Sequence, residues 1–71
     1  MMDEHFDPRK VRALRESKRM TQGELASEVG VTRQTVIKWE TGKGTPPLGT
    51  LSVLADRLGT YPSYFFTQME E

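Results

Sequence analysis

The sequence predicts an all-α fold, a compact bundle of five short helices in one small domain. Apolar residues recur at intervals of three and four, as they do on the buried face of an amphipathic helix. Residues that favour helix starts precede these segments, and glycines follow three of them. No segment shows the apolar–polar alternation that is typical of a half-buried strand. The 71 residues of the chain suffice for one such domain.

The first helix is predicted to run from Pro8 to about Lys18. Asp7 is suited to cap its unpaired amides, and Pro8 is suited to the first helical position. Val11 and Leu14 follow at helical spacing and are expected to face the core.

The ends of the chain are expected to lie outside the helical domain. Residues 1–7 show no periodicity and are expected to fray. The helical domain is expected to occupy residues 8–67, and residues 68–71 are expected to form a short C-terminal tail.

The second and third helices are predicted on either side of a sharp turn at Gly30. Thr21 and Glu24 match a capping box, in which the hydroxyl and the carboxylate each bond an unpaired backbone amide. Gly30 suits the end of helix 2, because a left-handed turn strains any residue with a Cβ atom. Thr32 is suited to cap helix 3, which runs to about Thr41. The residues expected to face inward from these two helices are Leu25, Ala26, Val29, Val36 and Trp39.

Two further helices are predicted after a Gly- and Pro-rich loop at residues 42–47. Helix 4 begins at about Leu48 and ends before Gly59. Its apolar residues recur at i, i+3, i+4 and i+7, at Leu51, Leu54, Ala55 and Leu58. A short, aromatic-rich fifth helix is expected from Pro62 to about Thr67.

The charges of the chain are unevenly distributed, although ten basic residues balance ten acidic ones. Residues 9–43 hold nine basic residues against four acidic ones. Residues 1–8 hold three acidic residues and no basic one, and residues 44–71 hold three acidic residues and one basic one. A basic segment between acidic ends suits one DNA-facing surface, and a charged helical surface without a partner fits this feature about as well.

Several other classes of protein are disfavoured by the composition. Without Cys, the chain has neither a disulfide framework nor a Cys-based zinc site, and His5 is its only histidine. Residues 42–45 lack the upstream glycine and the strand of a phosphate-binding loop. No apolar stretch is long enough to span a membrane, and the N-terminus has no signal-peptide pattern. We expect a cytoplasmic, nucleoid-associated protein that has no cofactor or metal and is not an enzyme.

Residues Gln22–Glu40, QGELASEVGVTRQTVIKWE, have the features that two helices need to meet at a steep angle. Ala26 is small at the point where the helices are expected to cross, and Gly30 supplies the turn. The apolar residues that fill the angle are Leu25, Val29, Val31, Val36 and Trp39. The alternative is a purely structural helical hairpin, which does not require this set at this spacing.

With these residues, the sequence resembles the phage Cro/repressor-type helix-turn-helix proteins, the XRE family of transcriptional regulators. The resemblance covers Val11 to about Phe66, in the segments VRALRESKRMTQGELASEVGVTRQTVIKWETGK, P-x-L, LSVLADRLG and YPSYFF. In that family the second helix of the pair lies in the major groove, and dimers bind operators near promoters. The resemblance therefore implies a homodimer whose partner is double-stranded DNA with a palindromic operator.

The recognition helix, at about Thr32–Glu40, carries the candidate base-reading residues. Arg33 and Gln34 are its first two exposed side chains, and Lys38 lies one turn further along the same face. Arg suits the two acceptors of guanine, and Gln suits the acceptor and donor of adenine. The resemblance places the same three residues at the base-reading positions of the family, and solvated surface residues are the alternative. Ile37 is expected to be partly buried.

Further polar residues are candidates for contacts with the DNA backbone, which position a protein rather than specify a sequence. Gln22 lies in the first turn of helix 2, where unpaired amides favour an anion, and the resemblance implies that it binds a phosphate. Lys43 is expected to do the same from the loop. The other backbone or secondary candidates are Thr21, Thr35, Thr41 and Arg12. Residues 45–47 are Thr-Pro-Pro where some relatives carry Lys or Arg, which predicts a shallow salt dependence.

The resemblance also implies a structural pair, Arg15 with Glu40, as a buried salt bridge between helix 1 and the end of the recognition helix. A separate expectation concerns the aromatic C-terminal segment, because exposed apolar patches mark interfaces. The candidates for a dimer interface there are Tyr61, Tyr64, Phe66 and Met69. A two-fold dimer through this region would place two recognition helices about one DNA turn apart. The alternative is that these rings only cover the base of the core.

The leading hypothesis is a sequence-specific DNA-binding transcriptional regulator, a dimeric repressor. The alternative is a protein-interaction module of the same fold, such as an antitoxin or a bridging factor, in which DNA binding is secondary. Arg33, Gln34 and Lys38 favour the first hypothesis, because their side chains suit base edges better than a protein groove.

Overall fold

The computed structural model describes residues 2–70, and among them the side chains of residues 5–67. The body of the domain consists of four α-helices: α1 (Pro8–Ser17), α2 (Gln22–Val29), α3 (Arg33–Thr41) and α4 (Leu48–Arg57). The remaining elements are a 3-10 turn (Pro62–Phe65) and two strands, β1 (Met2–Phe6) and β2 (Phe66–Glu70). The helical fold is therefore confirmed, and the predicted bounds of the first four helices agree with the structure to within one or two residues.

The prediction of a fifth helix from Pro62 to about Thr67 is wrong. The segment makes a single 3-10 turn that ends at Phe65, and Phe66 is already extended, with φ −106° and ψ 143°. Pro62 suits the first position of such a turn because its ring fixes φ near the helical value. Pieces of three or four residues are the usual length of a 3-10 helix. The described chain thus has four α-helices rather than five.

A small sheet joins the two ends of the described chain, where we expected residues 1–7 to fray and residues 68–71 to form a tail. β1 and β2 pair antiparallel, in a register that places Phe6 opposite Phe66. The rings of these two residues pack edge to face, with their centroids 6.0 Å apart. The pairing satisfies backbone groups that would otherwise need water. Because the paired residues are far apart in sequence, no local sequence pattern predicts the pairing of β1 with β2.

Asp7 connects this sheet to the helices. Its backbone amide donates to the carbonyl of Phe65 at 2.7 Å. Its buried carboxylate caps α1 by accepting the Arg9 amide at 3.0 Å, and it also accepts the Thr67 hydroxyl of β2 at 2.8 Å. Both carboxylate oxygens lie 3.1 Å from the Arg9 guanidinium. The hydrogen bonds from Arg9 and Thr67 outweigh the desolvation of the carboxyl group and lower the pKa of Asp7 from 3.8 to about 2.

The core lies between the four helices and the 3-10 turn. Its buried hydrophobic residues are Val11, Leu25, Ala26, Val36, Trp39, Leu51, Leu54, Ala55, Leu58 and Phe65. Fully burying a side chain such as Val, Leu or Phe contributes about 1.5–3 kcal/mol. Leu14 and Val29, which we expected to face inward, are half-buried and pack against the edge of this core. The core fixes α2 and α3 relative to each other and thereby the surface described next.

Candidate nucleic-acid interface

α2 and α3 meet across a tight turn at residues 30–32. Gly30 has φ +81°, in the left-handed region, and the amides of Gly30 and Val31 both donate to the Ala26 carbonyl at 2.9 Å. The Thr32 hydroxyl caps α3 by accepting the Thr35 amide at 3.2 Å. Ala26 is buried, as a close packing of the two helices requires. The predicted helix-turn-helix is therefore present at the predicted position.

α3 has one apolar face and one polar face. Val36 and Trp39 are buried in the core, whereas Arg33, Gln34 and Lys38 are exposed. Gln34 and Lys38 are four residues apart and thus neighbours along the same side of the helix. The guanidinium, amide and ammonium groups of this face are accessible to a partner.

Two other residues of α3 are half-buried. Ile37 lies at the margin between the two faces, in agreement with the expectation of partial burial. The Thr35 hydroxyl forms a hydrogen bond of 3.0 Å with the Thr32 hydroxyl. Their position restricts Ile37 and Thr35 to secondary contacts with any molecule that lies against α3.

Arg15 and Glu40 form the ion pair that the resemblance implies. Arg15 Nε lies 2.6 Å from Glu40 Oε2, and the side chains are 10% and 2% exposed. The same guanidinium donates to Glu40 Oε1 at 3.1 Å and to the carbonyl of Met20 at 2.7 Å. The hydrogen bond to Glu40 raises the pKa of Arg15 above its usual value. Gln22 Nε2 donates to Glu40 Oε1 at 3.1 Å, so that α1, α2 and α3 converge on one carboxylate.

The other candidates for contacts with the DNA backbone differ in whether their polar groups already form hydrogen bonds or ion pairs within the domain. Lys43 is exposed in the loop after α3. The Thr21 hydroxyl accepts a hydrogen bond from a backbone amide in the capping box, so its own O–H can still donate to a partner. The Thr41 hydroxyl already donates to a backbone carbonyl at 2.8 Å. Arg12 is paired at 3.1 Å with a glutamate one turn later. A phosphate accepts hydrogen bonds, so Lys43 and Thr21 are better placed to bind one than Thr41.

The candidate dimer residues lie around the 3-10 turn. Tyr61 is 62% exposed, and its ring packs edge to face on that of Tyr64 at a centroid distance of 6.2 Å. Tyr64 is half-buried, with Lys10 Nζ 5.1 Å from its ring centroid. Phe66 is also half-buried, and the side chain of Met69 lies outside the described residues. The exposed aromatic surface is thus mainly that of Tyr61.

Two features of the structure were not predicted from the sequence. Leu48, at the first position of α4, is 78% exposed although it is apolar. Because Leu48 lies three residues before Leu51, it continues the apolar spacing of α4, and no pattern in the sequence marks it as exposed. The hydrogen bond from Gln22 to Glu40 had no local signal, because it joins residues 18 positions apart on different helices.

The described part of the chain contains neither a metal-binding cluster nor a membrane-spanning helix. No group of three or more His, Asp or Glu side chains there could hold a metal ion. No helix within residues 2–70 is long and apolar enough to cross a membrane.

Comparisons with known proteins agree with the helix-turn-helix fold. A helix-turn-helix family model matches residues 11–65. The chain is 38% identical over 63 residues to an uncharacterised HTH-type transcriptional regulator, y4aM, of Sinorhizobium fredii. The match covers 89% of this chain and 44% of the relative, so the chain spans less than half of that protein's length.

Two solved structures have similar folds. The P22 c2 repressor, crystallised with a synthetic operator, superposes with a TM-score of 0.82 at 26% identity, over 86% of this chain and 92% of the repressor chain. Hydroxypropylphosphonic acid epoxidase from S. wedmorenis superposes with a TM-score of 0.77 at 33% identity. That match covers 84% of this chain and 32% of the enzyme, so it concerns only a part of the enzyme with this fold. The family match over most of the chain shows that it belongs to the Cro/repressor-type helix-turn-helix (XRE) family of DNA-binding transcriptional regulators, which is not a family of enzymes.

Proposed function

We propose that the chain is a dimeric repressor that binds a specific sequence of double-stranded DNA with α3 in the major groove. The observation that carries this proposal is the exposed polar face of α3, formed by Arg33, Gln34 and Lys38 opposite a buried apolar face. The major groove admits an α-helix, and the N-terminal part of a recognition helix meets base edges there. The operator complex of the similarly folded P22 c2 repressor supports the same role for this chain.

Arg33 and Gln34 are the proposed main readers of sequence. An Arg side chain forms two hydrogen bonds to guanine O6 and N7, and a Gln side chain forms two to adenine N6 and N7. Each such contact contributes about 1–3 kcal/mol of discrimination against the wrong base. Lys38, one turn beyond Gln34, extends the contact along the groove.

Gln22 and Lys43 are the proposed main contacts to phosphates. Contacts to the backbone set the position of α3 in the groove and carry no sequence information themselves. Lys43 is exposed, and the polar end of Gln22 lies beside the last turn of α3. With few basic side chains in the loop after α3, we expect a weaker salt dependence than that of a strongly basic repressor.

The deciding experiment is selection of binding sites from a random duplex library at about physiological ionic strength, where non-specific binding is weak. We expect a palindrome whose half-sites lie about one helical turn apart, as two recognition helices related by a two-fold axis require. Failure of the folded protein to enrich any sequence would overturn the proposal. The alternative, a protein-interaction module, would then be favoured.

Two variants separate sequence reading from backbone binding on the selected operator. Arg33→Ala is expected to relax the preference at one base pair of each half-site. Lys43→Gln is expected to weaken binding to all duplexes alike and to reduce the slope of log K against log salt by about 0.9 per protomer. Equal effects of the two variants on every single-base operator variant would contradict the assignment of the residues.

A further inference from the structure

Glu40 stands between the two parts of the proposed DNA surface. It lies in the last turn of α3, which carries the base-reading residues, and it accepts a hydrogen bond from Gln22, the proposed phosphate contact on α2. The carboxylate is itself held by two hydrogen bonds from Arg15, at 2.6 and 3.1 Å. With a side chain only 2% exposed, Glu40 has little room to move away from these partners.

The contact with Glu40 determines which way the Gln22 amide points. An ionised carboxylate only accepts hydrogen bonds, so only the amide nitrogen of Gln22 can face it. Turning the amide by 180° would place its oxygen against Glu40 Oε1 and remove a charge-assisted hydrogen bond. One N–H of Gln22 is therefore occupied by Glu40, and the second N–H remains for another acceptor.

We propose that Glu40 is a positioning residue for DNA-backbone binding, which holds the Gln22 amide so that its second N–H is presented to a phosphate. The proposal rests on the phosphate role of Gln22 in the proposed function. Phosphate oxygens accept hydrogen bonds, so the Gln22 amide binds a phosphate in the orientation that presents its N–H. In the flipped orientation the amide oxygen would face the phosphate and repel it. Fixing the side chain before binding also removes part of the entropy cost of ordering it on DNA.

A double-mutant cycle on the selected operator tests the inference. Gln22→Met removes the amide at similar length, and Glu40→Gln lets a second amide donate to the Gln22 oxygen and turn it. Each single variant is expected to raise the operator Kd about tenfold for each protomer bound, the loss expected for one hydrogen bond to a charged group. The double variant is expected to equal Gln22→Met alone, because Glu40 acts through an amide that is no longer there.

A matched cycle controls for a general loosening of the domain. Lys43 is a phosphate candidate in the loop after α3, so Lys43→Gln and Glu40→Gln are expected to multiply their effects on Kd. All variants are compared at a temperature at which circular dichroism shows them folded. If Glu40→Gln weakens binding as much in the Gln22→Met background as it does in the wild-type chain, the role of Glu40 is only structural and the inference is wrong.

A second measurement uses the unmodified protein and does not depend on the folding of Glu40→Gln. The Gln22 side-chain amide protons are identified in an NMR spectrum by their loss in Gln22→Met. One proton is expected to be shifted and protected from exchange before DNA is added, and the other is expected to shift on addition of operator. Two rapidly exchanging protons in the DNA-free protein would overturn the inference. If the folded protein binds no duplex, both the proposed function and this inference are wrong. If it binds its operator but the effects of Gln22→Met and Glu40→Gln on Kd multiply, only this inference is wrong.

Discussion

The guanidinium of Arg15 makes three hydrogen bonds at 2.6 to 3.1 Å while it is almost excluded from solvent. Arg15→Met would leave the Glu40 carboxylate buried with Gln22 as its remaining side-chain donor. Removing one partner of a buried pair costs about 3–5 kcal/mol. We therefore expect the free energy of unfolding to fall by about this amount, measured by urea denaturation followed through the fluorescence of Trp39.

Arg12→Met is the matched control for this prediction. Arg12 lies on the same helix, but its pair with Glu16 is exposed, with side chains 64% and 55% accessible. Exposed pairs at this spacing contribute about 0.3–0.5 kcal/mol. A loss of stability at Arg15 no larger than that at Arg12 would contradict the assignment of Arg15 and Glu40 as the main structural pair.

A second residue-scale prediction concerns the pH dependence contributed by Asp7. Its pKa is lowered from 3.8 to about 2 in the folded chain, chiefly by the hydrogen bond from Arg9. The unfolded state thus binds the proton more readily, and stability from this group is present above about pH 4 and is lost as the pH falls toward 2. Because Arg9 is largely exposed, solvent screening reduces the gain, to about 1 kcal/mol.

Asp7→Asn removes the titrating charge and keeps one acceptor oxygen for the cap of α1, because Asn is also a good helix cap. We expect the wild-type chain to be more stable than Asp7→Asn at pH 7, and the difference to shrink between about pH 4 and pH 2. Urea denaturation of both proteins across this range measures it. A difference that stays constant over that range would show that the charge of Asp7 contributes nothing to the stability.

At the residue scale, local contacts were predictable and distant ones were not. The caps at Asp7 and Thr21 follow from patterns within four residues, and the structure has both. The resemblance, rather than any local pattern, implied the pair of Arg15 with Glu40. The hydrogen bond from Thr67 to Asp7 joins residues 60 positions apart, and nothing in either neighbourhood of the sequence specifies it.

At the scale of elements, the turn between α2 and α3 depends on the backbone of Gly30. A Cβ atom there would meet no atom within 4 Å, so only the φ of +81° opposes a side chain. Gly30→Ala is therefore expected to lower the free energy of unfolding by about 1 kcal/mol, the strain of an L-residue in the left-handed region. For a domain of this size, that corresponds to a fall in Tm of about 4–8 °C.

Gly49→Ala is the matched control for the turn. Gly49 lies in the first turn of α4, its added Cβ would also meet open space, and its φ is not in the left-handed region. Alanine restricts the unfolded chain there without straining the folded one, so stability is expected to rise by about 0.4–1 kcal/mol. Changes of the same sign at the two glycines would show that the conformation of Gly30 does not limit the substitution.

The helices were predictable because spacing and caps act within a few residues. The strands were not, since β1 and β2 pair across almost the whole chain and the half-buried Phe6 and Phe66 meet only in the folded domain. The 3-10 turn was mistaken for a longer helix for a related reason. The pattern from Pro62 permits a helix, and the pairing of β2 with β1, a tertiary contact, extends the chain from Phe66 onward.

At the scale of the whole molecule, the separation of charge along the sequence explains how a chain of zero net charge can belong to a DNA-binding family. The segment with nine basic residues against four acidic ones, residues 9–43, spans α1, α2 and α3. Outside that segment, Asp3 and Glu4 lie in β1 and Glu70 lies in β2. Under the proposed function, attraction to DNA is expected to favour approach by the helices that carry the basic residues.

Dimerisation is the whole-molecule property that the proposed operator symmetry requires, and Tyr61 offers the means to test it. With 62% of its surface exposed, Tyr61 contributes little to the core, so Tyr61→Ser is expected to fold normally and to remove apolar surface from the proposed dimer interface. Tyr61→Phe keeps the ring and is the matched control. In sedimentation over a range of concentrations, the wild-type chain and Tyr61→Phe are expected to rise from 8.1 kDa toward twice that mass, whereas Tyr61→Ser stays monomeric. If all three proteins remain monomeric both alone and on operator DNA, the two-fold arrangement is wrong, and a single domain must bind a single half-site.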